Sequence, residues 1–168
     1  MTTYLSGPKT YVVHRTTNRR SGRARAVTEP YEEDIVTLAT ANTYFRRVVV
    51  TGEHAQLVLM SVPPGGEIGD EVHHVDQVLV FVSGEGLALV GGGRRRIAPN
   101  SMVFVPSATR HNFVNTGSAD LKLFTIYAPP QHAPVTVHRT KAEADAEEVG
   151  QGNGTMDSGM RSNMEHSS

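Results

Sequence analysis

The sequence contains no cysteine and no long apolar run, and both absences narrow what the protein can be. Without a thiol among its 168 residues, the chain has no disulfide, no thiolate metal site and no cysteine nucleophile. Oxygen and nitrogen ligands remain for a metal. Apolar stretches stay below the roughly 18 residues of a membrane span, and the N-terminus lacks the apolar region of a secretory signal. We therefore expect a soluble, cytoplasmic protein with no membrane partner.

Charge is unevenly distributed along the chain. Residues 1–30 carry six basic and one acidic side chain, residues 31–140 carry eight and ten, and residues 141–168 carry two and six. This pattern predicts a flexible basic arm over 1–30, a folded domain over 31–138 and a disordered acidic and polar tail over 139–168. A basic surface spread over the fold is not indicated, so we do not expect nucleic acid as the partner.

Short apolar runs cut by glycine and proline occupy the middle of the chain and predict an all-β fold. The runs are FRRVVV, QLVLMSV, QVLVFV, LALV, MVFVP, HNFVN and LKLFTIYA. Glycine-bearing turns between runs of this length form hairpins, which predicts a closed or nearly closed antiparallel barrel. One short helix is expected in EPYEEDIVTLA, where Glu32, Glu33 and Asp34 suit a helix N-terminus.

The stretch DEVHHVDQ concentrates polar side chains before one of the predicted strands. If the strand runs through Val75, alternation places Glu71, His73 and Gln77 on one face. His111 opens the later run HNFVN. Two imidazoles and one carboxylate form the facial set that holds Fe(II) with open positions, and the same set accepts Zn(II), Mn(II) or Ni(II). Taken singly, each of these residues is more often an ordinary half-buried histidine or a surface acid than a metal ligand.

Other polar residues give weaker evidence of a functional site. Asp76 has the wrong parity to orient His73. The consecutive arginines 94–96 indicate a solvated hairpin. Four further histidines lack a partner at a recognisable spacing: His54, His74, His132 and His138.

Two spaced motifs resemble those of the cupin superfamily, in particular the small single-domain bacterial cupins. The first joins Gly66, Glu71-x-His73, Gln77 and Gly84, and the second joins Asn100, Pro106-x-Ala108, His111 and Asn115. The resemblance covers about residues 45–130. It implies a double-stranded β-helix, or jelly roll, with a divalent metal inside the barrel, a small-molecule ligand and a homodimer.

Four positions depart from the cupin motifs. Glu71 stands where the first histidine is usual and Gln77 where the glutamate is usual, so the number of negative charges stays at one. Asn100 and Ala108 replace glycines; asparagine accepts left-handed backbone better than most residues, and alanine is the smallest substitute for glycine. By the resemblance, Fe, Mn, Zn or Ni would be held by Glu71, His73, Gln77 and His111.

Three functions are compatible with these residues. The leading hypothesis is a metal-dependent enzyme of oxygenase, isomerase, lyase or decarboxylase type, in which the ion acts as Lewis acid and template. The alternative is a non-catalytic cupin that binds a sugar or small metabolite as a sensor. A third is a storage or interaction protein whose basic arm contacts an acidic partner or nucleic acid.

Overall fold

The computed structural model describes residues 25–27 and 30–152, and in this part of the chain strands dominate. The elements in chain order are β1 Arg25–Ala26, α1 Ile35–Ala41, β2 Arg46–Thr51, β3 Gln56–Val62, β4 Asp76–Ser83, β5 Gly86–Val90, β6 Gly93–Ile97, β7 Met102–Val105, β8 His111–Asn115, β9 Leu121–Ala128, β10 Val137–His138 and α2 Lys141–Gly152. All seven predicted apolar runs are strands, and the all-β class is confirmed.

The strands form two sheets. The larger has the order β1-β2-β3-β9-β4-β7, with β10 pairing with β2, and the smaller has the order β6-β5-β8. Pairing is antiparallel apart from β1 with β2. The predicted antiparallel barrel is therefore a jelly roll of two facing sheets.

The core lies between the sheets because alternate residues of each strand point inward. Val58 and Met60 of β3 pack in one apolar cluster with Phe81 of β4 and Phe113 of β8. The alternate residues of β3 point to the other face of the sheet, where Leu59 packs in a second apolar cluster with Ala39 of α1. One face of the large sheet thus meets the small sheet, and part of the other is covered by α1.

The predicted short helix is confirmed as α1. It begins after Asp34, whose carboxylate accepts a hydrogen bond from the Thr37 backbone N–H at 3.1 Å. An N-cap of this kind satisfies a backbone donor that the first turn leaves without a partner.

The prediction of a disordered tail from residue 139 is wrong for the part that the structure describes. Residues 141–152 form helix α2, and Ala144 on this helix is 1% exposed and belongs to the core cluster. The helix was not predicted because its sequence is mostly polar and few of its apolar side chains pack against the barrel. Residues 153–168, like nearly all of the predicted basic arm, lie outside the described residues. Within the described ranges, no helix is long and apolar enough to cross a membrane.

Two turns use the left-handed backbone expected where Asn100 and Ala108 replace motif glycines. Asn100 has a φ of 71° and Ala108 a φ of 62°. Asparagine adopts this region more readily than most residues, whereas alanine gains no local hydrogen bond from its side chain. The Ala108 N–H donates to the His73 carbonyl at 2.7 Å, so this turn is tied to the loop that carries Glu71 and His73.

We predict that Ala108→Gly stabilises the fold. Left-handed geometry costs an L-residue roughly 1–2 kcal/mol, and the greater freedom of glycine in the unfolded chain offsets part of that gain, leaving about 0.5–1 kcal/mol. Urea denaturation measures the change. Ala98→Gly, in an exposed turn without a positive φ, is the control and should lower stability instead. A loss of stability in Ala108→Gly as large as in the control would contradict the prediction.

Candidate functional site

A short β-bridge brings together the two polar segments that are far apart in the sequence. The Glu71 N–H donates to the His111 carbonyl at 2.9 Å, and the His111 N–H donates to the Glu71 carbonyl at 3.0 Å. The expected continuous strand from Glu71 to Gln77 is wrong, because β4 begins only at Asp76. Glu71 and His73 lie on the preceding loop, and the bridge rather than strand parity sets their position.

The side chains of Glu71, His73 and His111 converge. One potential ligand atom from each residue lies within 4.8 Å of the others. The rings of His73 and His111 have centroids 5.3 Å apart. Two ligands of one ion with bonds near 2.1 Å can be at most about 4.2 Å apart, so modest side-chain movement would suffice to share an ion.

His111 presents a nitrogen lone pair in a buried setting. Its Nδ1 lies 2.8 Å from the Thr109 carbonyl, which makes Nδ1 the protonated nitrogen. Nε2 is then unprotonated, and it is buried without a hydrogen-bond partner among the described residues. Burial, followed by the nearby His73, lowers the pKa of His111, so the imidazole stays neutral and able to bind a metal.

Glu71 is an ionised carboxylate held from two sides. Its Oε1 lies 3.1 Å from Nη2 of Arg46 and its Oε2 lies 3.0 Å from Nε2 of His73. Burial opposes ionisation, but the hydrogen bond with His73 and the positive charge of Arg46 outweigh it and lower the pKa of Glu71. Arg46 adds a positive charge beside the cluster, and the sequence reasoning did not anticipate this charge.

Gln77, the remaining predicted ligand, lies at the start of β4 and is 2% exposed. Its Nε2 donates to Oγ1 of Thr125 at 3.1 Å, which leaves the amide oxygen as the free end. That oxygen is buried and has no hydrogen-bond partner in the described part of the chain. Asp76, by contrast, accepts a hydrogen bond from the Ser107 N–H on the outside, as its parity predicted.

A cavity of about 370 Å³ adjoins the cluster. Its walls include Glu71 and His73 of the cluster. They also include His132 and His138, for which the sequence offered no partner, and side chains from β2 and α2. The lining residues are Arg46, Asp70, Glu71, Val72, His73, Gln131, His132, Ala133, Thr136, His138, Glu147 and Glu148. The volume is near the lower end of the roughly 300–1,000 Å³ of small-molecule pockets.

His132 and Tyr127 form an uncharged wall near the cluster. Their rings meet edge to face with centroids 5.0 Å apart. Burial, reinforced by the charge of Arg46, lowers the pKa of His132 to about 3, and burial raises the pKa of Tyr127 well above its usual value. Both side chains are therefore neutral near pH 7.

Sequence reasoning missed Arg46, His132, His138 and Glu148. A signal existed for Arg46, which shares strand parity with the buried Val48 and so carries a charge on an inward-facing position. His138 lies on the two-residue strand β10, and Glu148 lies in the segment predicted as tail.

Comparisons with known proteins agree with this geometry. Residues 58–127 match the Cupin domain family. The uncharacterized protein YrkC of Bacillus subtilis is 41% identical over 127 residues, which are 71% of this chain and 68% of that protein. The chain belongs to the cupin family.

Two solved structures resemble the chain. That of BH2720 from Bacillus halodurans is 40% identical, has a TM-score of 0.70, and the match covers 71% of this chain and 96% of that one. That of TT1209 from Thermus thermophilus is 26% identical with a TM-score of 0.53, covering 58% of this chain and 96% of that one. The names of these two proteins state no activity, and the side chains of this cupin carry the information on its function.

Proposed function

We propose that this cupin is a metal-dependent protein acting on a small molecule, with a divalent transition ion held by Glu71, His73, His111 and Gln77. The donor set is one carboxylate, two imidazoles and an amide oxygen, which suits Fe(II), Mn(II), Ni(II) or Zn(II). We favour an enzyme of the oxygenase, isomerase, lyase or decarboxylase type.

One observation carries the proposal: Nε2 of His111 is an unprotonated, buried nitrogen without a protein partner in residues 25–27 and 30–152. A buried hydrogen-bond acceptor without a partner lowers the stability of the fold unless a donor or a cation binds it. The amide oxygen of Gln77 is a second such acceptor. A buried, unsatisfied imidazole nitrogen that converges with an ionised carboxylate fits a cation better than it fits an apolar ligand.

The ion, when bound, would supply Lewis acidity and open coordination positions. The protein side chains would orient the ligand and control protons. The guanidinium of Arg46 holds Glu71 in place by a hydrogen bond of 3.1 Å. The neutral His132 on the cavity wall offers a hydrogen-bond acceptor that does not titrate near pH 7.

Metal analysis of the purified full chain tests the proposal. We expect about one equivalent of a transition ion, as purified or after incubation with Fe(II), Mn(II), Ni(II) or Zn(II). Less than about 0.1 equivalent under every condition would overturn it. In that case the alternative, a cupin that binds a sugar or metabolite directly as a sensor, becomes the better explanation, since Arg46 already neutralises Glu71.

Gln77→Glu should tighten metal binding by about 10-fold, because a carboxylate replaces the weaker amide donor and adds a negative charge. The hydroxyl of Thr125, which now accepts from Gln77, can rotate to donate to the new carboxylate. Competition with a fluorescent chelator measures the affinity. Gln56→Glu is the control, because Gln56 is also buried but binds Thr51 and His132 instead. Equal affinity in Gln77→Glu and the unmodified protein would remove Gln77 from the ligand set.

We also propose that the protein is a homodimer that uses the outer face of β4, β7 and β9. Val78 pairs with Phe104 on one side and Ile126 on the other, and Val80 pairs with Met102, so these side chains form a continuous apolar strip. Met102 is 63% exposed and Phe104 52%. Exposed apolar strips of this kind on a sheet are typical of protein interfaces.

Phe104→Lys should weaken self-association at least about 10-fold, because it places a charge in the centre of the strip. Light scattering over a range of concentrations measures the dissociation. Val36→Lys, which changes a similarly exposed residue on α1, should leave the mass unchanged. A monomer at all concentrations in the unmodified protein would refute the proposal.

A further inference from the structure

The middle of α2 places two acidic side chains at the cavity. Glu148 Oε1 lies 3.2 Å from Nη1 of Arg46, and the carboxylate of Glu147 contacts Nε2 of His138. Both acids line the same cavity as His73 and His132. The helix therefore supplies carboxylate groups to a pocket that is otherwise built from the barrel.

The contact between Arg46 and Glu148 joins a deeply buried cation to a largely exposed anion. The side chain of Arg46 is 2% exposed and that of Glu148 is 56% exposed. Pairs with an exposed partner contribute little to stability, because water competes for the charge and the side chain loses freedom. Glu148 can therefore leave Arg46 at small cost, whereas Arg46 cannot reach solvent in its place.

Arg46 has more hydrogen-bonding capacity than the fold uses. Nη2 binds Glu71 and Nη1 binds Glu148, but Nε is buried without a partner in the portion of the chain that the structure describes. A guanidinium offers five N–H donors in a planar fork that matches a carboxylate. Replacing the Glu148 carboxylate with one from a small molecule would preserve the same type of contact.

The charge of the proposed metal site favours an anionic ligand once Glu148 departs. A divalent ion would add two positive charges to that of Arg46, against the negative charges of Glu71 and Glu147. In a buried cavity such an excess of positive charge is costly unless an anion enters. A ligand carboxylate would supply this charge from the cavity side.

We propose that Glu148 occupies the position of a ligand carboxylate, and that this cupin binds small carboxylates on Arg46 by displacing the side chain of Glu148. This rests on the proposed function, in that the carboxylate lies beside the proposed metal. Arg46 acts here as a binding residue, and Glu148 as an internal competitor whose removal opens the site.

Calorimetric titration of the full chain with malonate tests this inference, with malonamide as the uncharged probe of similar shape. Glu148→Gln removes the competing charge and should tighten malonate binding about 3- to 10-fold. Asp145→Asn is the matched control: it removes the same charge from the same helix, but Asp145 pairs with Lys141 and does not line the cavity. Each protein is titrated both metal-free and loaded with Zn(II).

The outcomes separate this inference from the metal proposal. Tighter malonate binding in Glu148→Gln alone, with no binding of malonamide, supports it. Equal tightening in Asp145→Asn overturns it, because net charge would then be the cause. Metal uptake without any gain for Glu148→Gln overturns the carboxylate site and leaves the metal site standing. A gain in metal-free protein that takes up no ion supports the carboxylate site and overturns the metal proposal.

Discussion

His111→Ala is expected to lower the affinity for a divalent ion by at least about 100-fold while the protein still folds. Disturbing even groups that merely orient a ligand costs 10- to 100-fold, so removing a ligand should cost at least as much. His111 provides the unprotonated nitrogen, and its loss leaves Glu71 and His73 already hydrogen-bonded to each other. Chelator competition measures the affinity, and circular dichroism checks the fold.

The comparison for this prediction is His74→Ala. His74 is in the same polar stretch, but it is exposed and does not join the cluster. The His74→Ala variant should bind metal as tightly as the unmodified protein. If His111→Ala retains full affinity, the ion lies elsewhere and the assignment of the site fails.

Arg46→Met should lower the free energy of unfolding of the metal-free protein by about 3–5 kcal/mol, the usual cost of leaving one member of a buried ion pair alone. The side chain of Glu71 is 13% exposed, so water cannot readily replace the guanidinium. Because Glu148 is mostly exposed, the loss of its contact with Arg46 costs much less free energy. Urea denaturation gives the change in stability.

A second substitution identifies the cause. Arg46→Met combined with Glu71→Gln removes the isolated charge and should recover a large part of the lost stability. Arg47→Met, at the next position of β2, should change stability by less than about 1 kcal/mol, because Arg47 is partly exposed. Equal losses in the single and the double variant would show that packing of the Arg46 stem, rather than charge, sets the cost.

The sequence predicted the fold better than the site. Alternating apolar residues and glycine turns are local signals, and they predicted seven of the eight described strands that are longer than two residues. The eighth, β6, consists mainly of exposed arginines and has no apolar alternation. The two-residue strands β1 and β10 carry no such signal, because their pairing with β2 depends on the completed sheet. Helix α2 was missed for a related reason: its sequence is polar, and few of its side chains pack against the barrel.

Spacing identified Glu71, His73 and His111 as a group, although the reason given for their alignment was partly wrong. Their convergence depends on the bridge between Glu71 and His111, a tertiary contact that strand parity cannot predict. Arg46 and Glu148 lie far from the motifs in sequence and reach the site only through the fold. The grouping of Glu71, His73 and His111 was therefore predictable, but most of the cavity that adjoins them was not.

The outer edge of β2 has a consequence for assembly. β10 covers Arg46 and Arg47, and β1 covers Val50 and Thr51, so two pieces of only two residues each finish this side of the large sheet. Fragments so short offer too little backbone to recruit another strand. The described edge of β2 is therefore poorly suited to adding another strand, which fits the closed pair of subunits proposed above better than an open-ended fibre.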